Sequence, residues 1–327
     1  MSEVHSPSLT IARKDIHDAI KDRFVLVITS FLVVASLVAL IVAAIALKGD
    51  VASYLDAKAT LIALGKDAST LPNPAFYPLK LLRGFIEYAE IVGAVIAILV
   101  GYRAAASERG RQTLVLIVTR PVAQWQLLLG KWLGGMSVLA IGLLLIFVIA
   151  TLASTLISSV ALSPDDILRL GLTYAACVVY VSIFFMLGLA LALWARKLPN
   201  ALLLAFTVWL AIVLVAPQIG DTMDPDNQVA GGVFQQLHIA KPQQTEILAS
   251  FSTYETIRNG IEVASPTKHF ERFAFAVLGI KDTYTGQPLM PILAEKTSDI
   301  IWLVAVALAL CLALFGRRMD PNRLSKE

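Results

Sequence analysis

The sequence predicts an all-α integral membrane protein with six transmembrane helices, both termini cytoplasmic, and a mostly helical extracytoplasmic region between the fifth and sixth spans. Three observations carry that prediction. Hydrophobic residues make up 57% of the 327 residues and charged residues only 16%, whereas a soluble domain carries about a quarter charged. The mean hydropathy is +0.74. The apolar residues also come in long blocks instead of alternating with polar ones, and roughly 20 of them cover the hydrocarbon core.

Residues 1–23 are polar and charged. Ile11–Phe24 reads as an amphipathic helix, with Ala12, Ile16, Ala19 and Ile20 on one face and Arg13, Lys14, Lys21 and Arg23 supplying the charge. That pattern suits a cytoplasmic helix lying in the inner headgroup layer. The first span is Phe24–Leu47, too long for a signal-peptide apolar region and without a small-residue cleavage site.

The later spans are about Leu81–Tyr102, Trp132–Ser158, Ile167–Leu193, Ala201–Ala216 and Ile300–Phe315. Residues 24–216 thus hold five spans, with a cytoplasmic loop at 103–131. Residues 217–297 form the extracytoplasmic region, and 298–327 the sixth span and cytoplasmic tail. Ser163, Pro164, Asp165 and Asp166 mark the start of the fourth span by an N-cap, a first-turn proline and acids at the positive helix end. Pro199 opens the fifth span and Pro217 closes it. In the outer region Gln243–Ile261 reads as one helix, and Ser265-Pro266 caps another.

Orientation follows from basic residues near the span ends. Arg13, Lys14, Lys21 and Arg23, then Arg103, Arg109, Arg111, Arg120 and Lys131, then Arg196 and Lys197, then Arg317, Arg318, Arg323 and Lys326 all fall on one side of a six-span chain. Lys48, Lys58, Lys66, Lys80 and Arg83 in the first outer loop run against the rule. The net charge of +3 creates no field that argues for nucleic acid.

The chemistry-bearing residues are few. Glu87 and Glu90 share a helix face near the outer end of the second span, with Arg83 four residues before Glu87. Acids in a span suggest either a polar pathway or a structural partner for Arg83. His238 and His269, with Met223 and Met290, match no metal-site spacing, and Asp221, Asp224 and Asp226 lack that of a calcium loop. Cys177 and Cys311 sit in apolar blocks and read as core residues. Trp125, Trp132, Trp194 and Trp302 suit the membrane interfaces, and Gly134, Gly135 and Gly142 permit close helix packing. No metal site is expected.

The loop SERGRQTLVLIVTRPVAQWQLLLGKWLGG, Ser107–Gly135, resembles the cytoplasmic loop of ABC-2 type transporter permeases, especially the subgroup with the permease of nitrous-oxide-reductase (multicopper enzyme) maturation systems. The matching positions are Glu108, Arg109, Thr113, Leu114, Pro121, Val122, Gly130 and Lys131. Arg111-Gln112 stand where that family has glycine, and Gln124 where it has a basic residue. SPTKHFERFAFAVLGIKD, Ser265–Asp282, is similar to the stretch that precedes the last span in the same family.

The resemblance implies a membrane-spanning permease subunit of an ATP-driven exporter in the inner or plasma membrane. Its partners would be an ABC ATPase subunit, a second permease copy or paralogue, the lipid bilayer and an optional extracytoplasmic protein. ATP and Mg would bind in the ATPase, since the chain has no G-x-x-x-x-G-K-[ST] loop of its own. It implies that Glu108, Arg109, Thr113, Leu114, Leu116, Ile117 and Arg120 dock into an ATPase cleft, by charge register and by apolar filling. Two other classes stay open on the residues alone: a membrane enzyme using Glu87 and Glu90, and an anchor or assembly factor docking a protein through Pro217–Thr297.

Overall fold

The computed structural model describes residues 7–21, 23–64, 78–110, 123–158, 160–223, 233–237, 239, 241–250 and 252–317, and every regular element among them is helical. Among the described residues, five helical stretches are long and apolar enough to cross a membrane: Pro78–Arg109, Gln124–Ser158, Pro164–Trp194, Leu198–Ile219 and Leu289–Gly316. Ser30–Ala46 is a shorter apolar stretch.

Helix α1 (Pro7–Lys21) is the amphipathic helix read from the sequence. Helix α2 (Arg23–Ala63) has 41 residues and is about 60 Å long, running well past the expected end at Leu47. After Leu47 a single residue, Gly49, disfavours helix, and the stretch that follows is rich in good helix formers. A 3-10 turn at Pro78–Leu82 then leads into α3 (Arg83–Gly110).

Helix α5 (Pro164–Trp194) is the centre of the bundle. Helices α3, α4 (Gln124–Ser158), α6 (Leu198–Trp209), α11 (Pro266–Val277) and α12 (Leu289–Gly316) all pack on it. Ser163 and Asp166 form a reciprocal capping box at its start, with Pro164 in the first turn. Helices α3 and α5 cross through two glycines. A Cβ on Gly101 would collide with the Phe185 carbonyl, and one on Gly188 with the Ile98 carbonyl. Each helix thus lends a glycine where the other's backbone passes, which lets the axes approach.

The fifth expected span does not stop at Pro217. Helix α6 opens with Pro199 as the sequence implied, passes through a π-helical segment at Leu210–Val215, and continues as α7 (Ala216–Met223). A proline inside a helix lacks its N–H and its ring strikes the carbonyl four residues back. Here the chain widens just before the proline, and the Ala216 N–H bonds to the Ala211 carbonyl five residues back. The wider turn re-aims the local carbonyls and lets the helix carry Pro217.

In the outer region, α8 (Val233–Gln236) is one turn long. The stretch expected as a helix is helical on both sides of residue 251, as α9 (Lys241–Ser250) and α10 (Ser252–Ala264). Polarity alone separated 217–297 from the spans, yet α11 packs inside the bundle. Thr267 at its start lies beside Tyr180, and Val277 at its end accepts a bond from Arg169. It therefore runs antiparallel to α5 over about 17 Å.

Candidate functional site

The richest polar site forms where α1, α3 and α4 meet, at the two ends of the stretch 111–122. Gly130 and Gly134, one turn apart on α4, face α1. A Cβ on Gly130 would lie 2.8 Å from Ile11 Cβ and from the Ser8 carbonyl, and one on Gly134 3.0 Å from the Ala12 carbonyl and Asp15 Cβ. Only a glycine ridge lets α1 lie this close. Gly135, the next residue, makes room in the same way for the Phe185 ring. Gly142 has open space where its Cβ would be.

Lys131 lies on α4 between the two glycines and has no solvent exposure. Its ammonium is 2.7 Å from Glu108 Oε2 and 3.7 Å from Asp15 Oδ2, and it donates to the Ala104 carbonyl at 2.5 Å. Glu108 Oε1 accepts a bond from Lys14 Nζ at 2.6 Å. Two acids and two cations thus join three helices. A buried charge of this kind is tolerated only when paired. Burial pushes the Asp15 carboxyl up to about 6, against the pull of Lys131. Burial works to lower Lys14, but the hydrogen bond to Glu108 and its charge outweigh it and hold Lys14 above its usual value.

Arg109, the next residue on α3, points the other way. Its guanidinium donates to the carbonyls of Ala192 at 2.9 Å, Ala195 at 2.6 Å and Arg196 at 2.9 Å. These carbonyls close the C-terminal end of α5, where a cation also meets the negative end of the helix dipole. Nearby, Arg317 stacks on Trp194 at 4.8 Å, and Gln124 donates to the Arg317 carbonyl at 2.6 Å.

Glu108 and Arg109 therefore engage groups of their own chain. Thr113, Leu114, Leu116, Ile117 and Arg120 lie outside the described residues. The sequence signals Lys131 only as a boundary charge and a motif position, and gives no sign that Asp15 and Lys14 reach it across the fold.

Arg83, Glu87 and Glu90 do not gather into one polar site. Arg83 donates to Glu87 at 2.9 Å, and both are exposed. Glu90 is buried, and its backbone carbonyl accepts a bond from Tyr180 at 2.8 Å. The acids share a nominal helix face, but α5 covers one and leaves the other to solvent or lipid.

The Ser265–Phe270 stretch ties helices together. Ser265 stands at the N-cap of α11, but its hydroxyl donates to the Ile212 carbonyl in the π segment at 3.0 Å instead of capping α11. Phe270 stacks on Tyr180 at 4.8 Å. His269 meets Asp299 of α12 at 2.6 Å and the Val263 carbonyl of α10 at 3.0 Å. Among the described residues no group of three or more His, Cys, Asp or Glu is placed to hold a metal, and His238 lies outside them.

A helical bundle with several membrane-length spans and an amphipathic helix clamped to it defines a multi-pass membrane protein. The chain matches the ABC-2 family transporter protein family over residues 9–319 and belongs to that family. It is a permease component of an ABC transporter, and the family implies an ABC ATPase as partner. Comparison with curated proteins finds no match.

Proposed function

We propose that this chain is the permease subunit of an ATP-driven exporter, with six spans, both termini cytoplasmic, and residues 111–122 as the contact to the ATPase. The observation that carries the reading is the ion network of Lys14, Glu108, Lys131 and Asp15. Glu108 stands just before that segment and Lys131 just after it, and both are buried. A push that reaches the ends of the segment meets these ion pairs. It passes to α3 and α4 together, to α1 through Lys14 and Asp15, and to the end of α5 through Arg109. Closure of two ATPases would then act on a linked set of spans as a two-state rearrangement.

Within this proposal Leu114, Leu116, Ile117, Thr113 and Arg120 face the ATPase, while Glu108 and Arg109 hold the segment's base. Two permease copies or paralogues complete the path in the cell membrane. The maturation-permease subgroup remains part of the proposal, through the Ser265–Asp282 stretch.

The test is co-purification of the full chain with its ABC ATPase subunit. Leu114→Asp with Ile117→Asp should abolish ATPase association and leave folding intact. Glu108→Gln should keep association but uncouple ATPase stimulation from transport. Unchanged association in the first variant would remove the segment from the contact.

A further inference from the structure

The pair His269 and Asp299 uses chemistry that the coupling site does not. Both side chains are buried, at 6% and 9% exposure. His269 presents Nδ1 to Asp299 Oδ1 at 2.6 Å and Nε2 to the Val263 carbonyl at 3.0 Å. A backbone carbonyl only accepts, so Nε2 must carry a hydrogen. An ionised carboxylate also only accepts, so Nδ1 must carry one too. The ring therefore satisfies both neighbours only as an imidazolium, or with the equivalent proton placed on Asp299. Trp302 stacks on the same ring at 4.5 Å and 23°, a geometry that suits a cation on an indole face.

We infer that His269 and Asp299 form a proton-binding site that clamps α10 and α12 to α11, and that release of its one proton loosens the clamp. The proton leaves the Nδ1–Oδ1 hydrogen bond for water. A neutral ring then has one N–H for two acceptors, so the tie to Asp299 or the tie to Val263 faces a lone pair. An unmet bond in this buried place destabilises whichever contact loses it. The clamp matters because α11 also holds the π segment through Ser265 and contacts α5 through Thr267 and Phe270.

The surrounding ionisable groups are largely committed elsewhere. On α10, Glu262 is paired with Arg272 of α11 and lies 3.8 Å from Arg258. On α11, Lys268 pairs with Glu271 at 3.0 Å. On α12, Lys296 pairs with Glu295 at 2.9 Å, which also accepts a bond from Tyr284. On α5, Arg169 is bonded to Asp165 and to the Val277 and Gln287 carbonyls, Tyr180 donates to Glu90, and Cys177 is buried. On α3, Arg83 holds Glu87, and Glu90 is buried. The π segment has no ionisable side chain.

Trp302 supplies a local readout, because a contacting imidazolium quenches indole emission. The full chain in lipid nanodiscs is scanned from about pH 5 to about pH 10, and the Trp302 signal is isolated by subtracting Trp302→Phe, since the chain has five tryptophans. Emission should rise in a single one-proton step as pH increases. Hydrogen exchange in residues 252–277, corrected for its intrinsic pH dependence, should quicken over the same step. In Asp299→Asn the amide donates to Nδ1 of a neutral ring whose Nε2–H still meets Val263. That variant should stay clamped, and its step should vanish. His269→Gln should be flat. A flat wild-type trace overturns the inference, as does an unchanged step in Asp299→Asn. The site does not depend on the transport reading, and the result is the same with no ATPase present.

Discussion

Lys131 Nζ lies 2.7 Å from Glu108 Oε2, with the lysine fully shielded from solvent, and this one ion pair joins the helices on either side of residues 111–122. Removing Glu108 leaves the buried Lys131 ammonium with only the more distant Asp15 carboxylate, at 3.7 Å, and the Ala104 carbonyl. Glu108→Gln should destabilise the chain by about 3–5 kcal/mol. The double variant Glu108→Gln with Lys131→Met should recover at least half of that, because neither member of the pair is left facing a missing partner. Thermal unfolding of the three proteins in one detergent checks the order.

Arg109 satisfies three carbonyls at the end of α5. Arg109→Lys keeps the charge but not the planar fork, so it should retain one bond and lose about 2 kcal/mol. Arg109→Ala should lose more and fray the end of α5. Hydrogen exchange at residues 190–196 reads this directly: fast in the alanine variant, intermediate in the lysine variant.

The α1–α4 contact depends on missing side chains. Gly134→Val places methyl groups where the Ala12 carbonyl and Asp15 Cβ already stand. Overpacking of this kind costs about 1–3 kcal/mol, and α1 can relieve it by lifting off. Limited proteolysis should then cut within residues 7–21 while the later helices stay protected. Gly142→Ala, with open space at its Cβ, is the control and should change nothing.

Asp15 gives α1 docking a pH dependence whose sign is fixed. Its carboxyl is raised from an ordinary 3.8 to about 6 in the folded chain. Between those values the docked state holds a proton that the undocked state has lost, so docking weakens as pH rises through about 6. Exchange protection of residues 7–21 should therefore be greater at about pH 5 than at about pH 7, and Asp15→Asn should flatten the difference.

Much of the helical layout was legible because its signals are local. The Ser163–Asp166 cap needs only four residues, and the apolar blocks announce α4, α5 and α12 by length. The misjudged points were those decided by distant partners. Pro217 reads as a stop until the π turn is seen, and Ser265 reads as a helix cap until Ile212 is found to take its hydroxyl. Glu87 and Glu90 look equivalent on a helical wheel, and only the position of α5 separates them. The ion network was the least visible part, because Lys14, Asp15, Glu108 and Lys131 come from three separated segments. The family motif marks two of the four by type, but no sequence pattern says that they touch.

The central claim is that residues 111–122 meet the nucleotide-driven partner and pass its motion through Glu108 and Lys131 to the spans. The most direct measurement is disulfide or photo-cross-linking from single probes at positions 114 and 117 in the assembled complex, with and without ATP. The account predicts cross-links to the ATPase subunit at both positions, with yields that change on nucleotide addition. Probes that react only with reagents on the face opposite residues 1–6, and never with the ATPase, would contradict it.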